Sequence, residues 1–68
     1  MKAWLQAHDP RESVFQHHLV FNRAEAAEMT ENNAHEVMRA AERQYPEYTW
    51  EKVKVPGRNV YVVEGTQK

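Results

Sequence analysis

The sequence predicts an α+β fold, a small antiparallel sheet of order β-β-α-β-β with one amphipathic helix packed on one face. Three observations predict it. Residues 31–45 carry an apolar stripe at helical spacing. Short runs rich in Val and aromatic residues flank that stretch on both sides. The prolines and glycines, at Pro10, Pro46, Pro56, Gly57 and Gly65, fall where elements should end. The whole chain of 68 residues reads as one domain.

The elements follow in order. Residues 2–8 suit a short strand with Trp4 as its main apolar anchor. Asp9, Pro10, Arg11 and Glu12 form a turn signal, because Asp suits the first turn position and Pro the second. Residues 13–21, rich in Val, Phe, Leu and His, complete an N-terminal hairpin. Residues 22–29 leave two readings open. Asn22 followed by Glu25 resembles a capping box, and Ala24, Ala26 and Ala27 favour helix. The same stretch also reads as an extension of the second strand, and the helix is preferred.

The helix at 31–45 is the clearest element. Ala34, Val37, Met38, Ala41 and Tyr45 align along one face. Thr30 suits the N-cap, Glu31 suits the positive end of the helix dipole, and Pro46 forces the preceding residue out of helical geometry. Residues 49–55 and 59–64, joined by Pro56, Gly57 and Arg58, read as a C-terminal hairpin.

Composition narrows the function classes. There is no cysteine, so disulfides and thiolate metal sites are excluded, and a reducing cytoplasm is the expected compartment. The formal net charge of −1 lacks the basic excess of most nucleic-acid binders. No run of 18 apolar residues is present, and the N-terminus carries no signal-peptide stretch, so no membrane contact is expected. A hydrophobic fraction of 41% supports a folded core. That core is small, because a domain of about 60 residues buries only about 60% of its unfolded surface.

No catalytic constellation is visible. His17 and His18 are adjacent, so on a strand they point to opposite faces and do not share a metal ion; His8 and His35 lie elsewhere. Ser13 is the only serine and sits in no nucleophile motif. No glycine-rich phosphate loop occurs. Glu25, Glu28, Glu31, Glu36 and Glu42 read as solvated helix positions. The chain is expected to be no enzyme and to need no cofactor and no metal.

The most suggestive local feature is basic and aromatic. On a strand at 49–55, Trp50, Lys52 and Lys54 share one face, while Glu51, Val53 and Val55 share the other. If Val53 and Val55 face the core, Trp50 points outward with the lysines, beside Arg58 and Tyr61, as a stacking platform would. The competing reading has Trp50 capping the helix end near Tyr45 while the lysines blunt an edge strand. Tyr45, Tyr48 and Trp50 concentrate aromatic rings at the helix–strand junction, where contact anchors and core plugs look alike. The candidate binding residues are therefore Trp50, Tyr48, Lys52, Lys54 and Arg58.

The stretch AERQYPEYTWEKVKV at 41–55, following a Thr-capped helix with an Ala-rich stripe, resembles the strand–helix–strand core of small phage-encoded proteins that inhibit a host protein. Short phage inhibitors of bacterial RNA polymerase and small anti-CRISPR proteins are similar in size and architecture. The resemblance implies a cytoplasmic protein of a bacterial host that binds RNA polymerase or a CRISPR or other defence complex and blocks it by occupying a surface. The chain departs from the polymerase-inhibitor pattern in its further strand at 59–64, so no site residue is carried over. Two other functions stay open: a nucleic-acid module using the same hairpin, and a self-associating protein that pairs an edge strand at Val60, Tyr61, Val62 and Val63 with a second copy. The expected state is monomer or homodimer.

Overall fold

In the computed structural model of the chain, the described residues are 1–6 and 18–68. The turn expected at Asp9 to Glu12, the ends of the first hairpin, and His8, Ser13 and His17 lie outside them. The described chain forms strand β1 (Lys2–Gln6), strand β2 (His18–Val20), a single 3-10 turn (Arg23–Glu25), helix α1 (Glu31–Gln44), strand β3 (Tyr48–Lys54) and strand β4 (Tyr61–Gln67). The four strands make one antiparallel sheet of order β2-β1-β4-β3. The expected β-β-α-β-β architecture is the observed one.

Helix α1 begins and ends as its sequence dictates. The Thr30 hydroxyl accepts from the Asn33 N–H at 3.3 Å, supplying one partner to the unpaired first turn. At the other end Tyr45, held by Pro46, leaves helical geometry at φ −130° and ψ 66°. The buried face is Ala34, Val37, Ala40 and Ala41, with Met38 and Tyr45 packed at its margin. Small residues there let the helix lie close to the sheet.

Residues 22–29 resolve into neither simple reading. Asn22 caps only a one-turn 3-10 helix, its side-chain oxygen accepting from the Ala24 N–H at 3.0 Å. The chain then extends. Ala27 donates to the Leu5 carbonyl, and Met29 and Tyr61 exchange both backbone hydrogen bonds, at 2.9 and 2.8 Å. These backbone contacts with the sheet outweigh the helix propensity of three alanines.

Register sets which side chains meet the helix. Ala3 pairs with Gly65, and Gly65 pairs with Trp50, so these three share the helix-facing side with Leu5, Val63 and Tyr48. Trp4, expected as the anchor of its strand, lies one residue out of phase and points the other way. The buried anchors of β1 are Ala3 and Leu5. On the side away from the helix, the Glu64 carboxylate bridges two groups of β1. It accepts from the Lys2 ammonium at 2.6 Å and from the Trp4 indole N–H at 3.2 Å. This offsets the repulsion from Glu51, directly opposite Glu64 on β3. The hydrogen bond and the charge of Glu64 hold the Lys2 ammonium above its ordinary pKa.

Strand β4 runs to Gln67, past the expected end at residue 64. Gly65 does not break it. A Cβ at Gly65 would meet Trp50 ring carbons at 2.7–2.8 Å, so glycine is what lets the indole lie flat across the strand. The turn before β4 is as expected. The Arg58 N–H donates to the Val55 carbonyl at 3.1 Å, Pro56 occupies the second position, and Gly57 adopts φ +76° at the third. That is the pattern of a type II turn, which favours glycine where φ is positive.

Candidate functional site

The structure takes apart the basic–aromatic platform. Trp50 and Tyr48 are only 5% and 8% exposed, inside the core under α1. Trp50 donates its indole N–H to the Tyr45 carbonyl at 3.1 Å, and its ring lies 6.1 Å from Tyr45 and 5.5 Å from Tyr48, centroid to centroid. The physical reason is volume. The space between the small residues of α1 and Gly65 takes an indole, whereas Val53 and Val55, expected in the core, are only half-buried at the margin. Neither ring is placed to touch a partner.

Of the remaining candidates, Arg58 is engaged within the fold. Its guanidinium meets the Glu28 carboxylate at 2.8 Å and ties the β3–β4 turn to the segment before α1. Being largely exposed, this pair is worth at most about 1 kcal/mol. Lys52 and Lys54 share the helix-facing side of β3 with Trp50, as the alternation required, but lie beyond the cover of the helix. Lys54 is exposed and Lys52 half-buried, and neither has an ion pair among the described residues.

What places these lysines functionally is the position of β3. It is seven residues long and, among the described residues, pairs with β4 on one side only. Its hydrogen-bond phase follows from the two ends of the ladder. Val55 donates to the Val60 carbonyl, and Lys68 to the Glu47 carbonyl, both at 3.0 Å. With the register unbroken between them, Thr49, Glu51 and Val53 direct their backbone groups at β4. Trp50, Lys52 and Lys54 direct theirs outward. Tyr48 is also outward, but its N–H is already given to the Tyr45 carbonyl at 3.1 Å. Three successive donor–acceptor pairs, two of them on Lys52 and Lys54, thus line an edge that no described strand covers. No single-residue signal marks this edge, because it depends on strand order.

Other features of the described residues are modest. A shallow depression of about 190 Å³ lies beside this edge, lined by Glu42, Pro46, Tyr48, Thr49, Trp50 and Lys68. It is smaller than the roughly 300–1,000 Å³ of ligand pockets. Among the described residues no three His, Asp or Glu side chains converge as metal ligands would. No helix of the described residues is long and apolar enough to cross a membrane. The Tyr61 hydroxyl is raised above its ordinary pKa by desolvation, and then by the charge and hydrogen bond of Glu31. Strand β4, whose valines were expected at an edge for self-pairing, lies between β1 and β3 with both sides occupied. No protein-family model matches the chain, no curated protein matches it, and no solved structure matches its fold.

Proposed function

We propose that this chain is a non-catalytic binding domain that occludes a surface of another protein, with the outer edge of β3 as its docking surface. The observation that carries this reading is the open edge itself. Natural sheets cover, shorten or charge their edges, and β3 is long and carries lysines at only two positions. The resemblance at 30–55 to phage inhibitors supports a bacterial host protein as the partner, RNA polymerase or a defence complex being the classes implied. The nucleic-acid reading loses Trp50, its main stacking ring, to the core, and keeps the two lysines with half-buried Tyr61, which pairs with Lys54.

The test is capture of partners from nuclease-treated bacterial lysate by the tagged chain and by the double variant Lys52→Glu, Lys54→Glu. Both positions lie outside the core cluster, so the variant should fold. One stoichiometric protein retained by the parent chain and lost by the variant is expected. Equal retention by both removes β3 as the surface. Recovery of nucleic acid alone, from untreated lysate, moves the function to the nucleic-acid class.

A further inference from the structure

We infer that the β3 edge takes an extended acidic segment of the partner as a fifth strand, one in which two carboxylate side chains alternate around an apolar residue. This rests on the reading of β3 as the docking surface and names what docks there.

The main-chain part follows from hydrogen-bond phase. The outward N–H and C=O groups of Trp50, Lys52 and Lys54 recur every second residue, the spacing at which an added strand bonds. The side-chain part follows from the same alternation. Lys52 and Lys54 project on one side of the incoming strand, so residues opposite them at i and i+2 are acidic. The residue between faces half-buried Val53 on the other side and is apolar.

A second copy of this chain is a poor occupant. Two-fold antiparallel pairing must match outward residues with outward residues. Centring it on Lys52 sets Lys52 against Lys52, and centring it on Glu51 sets Glu51 against Glu51. Centring it on Val53 sets Lys52 against Lys54. Centring it on Trp50 brings in Tyr48, whose N–H is already used, and Pro46, which has none. Like charges in some registers and used or missing N–H groups in the other disfavour the two-fold edge, and the two lysines admit an acidic strand.

The phase also supplies a specific test. Lys52→Pro deletes an outward N–H and leaves every ladder bond to β4 intact, which is where a sheet tolerates proline. The isotope-labelled full chain is titrated with a short blocked peptide centred on Glu-Val-Glu, and with its Lys-Val-Lys counterpart, at up to ~1 mM. Expected are shifts and slowed exchange at the Trp50, Lys52 and Lys54 amides with the acidic peptide only. Relative to Lys52→Ala, which already lacks the ammonium, Lys52→Pro should weaken that binding about tenfold or more while the rest of the spectrum stays folded. Binding by Lys52→Pro undiminished from that of Lys52→Ala, or shifts elsewhere, overturns strand addition. No shift at all overturns it too, and the double lysine variant then decides the wider reading: if that variant still loses its captured protein, docking at β3 stands without strand addition; if not, both fall.

Discussion

Trp50→Ala is expected to leave the chain largely unfolded at 37 °C. Trp50 is 5% exposed, fills the space between α1 and Gly65, and bonds the Tyr45 carbonyl where the helix ends. Emptying such a site costs about 3–5 kcal/mol. A domain of this size has a total stability of only about 3–10 kcal/mol, at roughly 0.05–0.15 kcal/mol per residue. Trp50→Phe keeps a ring in the site and gives up the indole hydrogen bond, so it should cost markedly less. Urea unfolding followed by circular dichroism measures both. If Trp50 were a surface anchor, Trp50→Ala would leave the midpoint nearly unchanged.

Gly65→Val should destabilise, against the usual trend for a glycine within a strand. Valine is a strong strand former, and replacing an exposed strand glycine with it ordinarily helps. Here even the first added carbon would stand 2.7 Å from Trp50 Cζ3, and the two further methyls of valine have no room beneath the indole. The ring must tilt out of its site or β4 must shift away from β3, at a cost of about 1–3 kcal/mol or more. Gly65→Ala should show the same sign at smaller size. A neutral or stabilising Gly65→Val in the same urea titration would contradict the placement of Trp50 over β4.

Local signals carried much of the fold. Thr30, the alanine stripe and Pro46 bound the helix correctly because caps, periodicity and proline act through neighbouring residues. Pro56 and Gly57 marked their turn for the same reason. What failed was set at long range. The β3 alternation places Trp, Lys and Lys on one side and Glu, Val and Val on the other, and counting apolar residues favours the valines. The helix settles the matter from outside the strand by offering an indole-sized space. Gly65 read as a break because its reason for being glycine is Trp50, on another strand. The Lys2–Glu64 contact joins residues 62 apart in sequence and leaves no local trace. Residues 60–63 did contain a usable signal, since an unbroken apolar run suits an interior strand better than an edge. Lys52 and Lys54 were visible as candidates, and an edge strand carrying them with Trp50 near Tyr45 was one of the two readings, but strand order, a property of the whole sheet, is what decides for it.

The most direct test of the central claim, that β3 presents an open edge, is amide hydrogen exchange along that strand in the free chain. The phase of the ladder predicts alternation: slow exchange at Thr49, Glu51 and Val53, which bond β4, and fast exchange at Lys52 and Lys54, which face outward. Uniformly slow exchange from Thr49 to Lys54 would mean that something already covers the edge, and docking there would be ruled out.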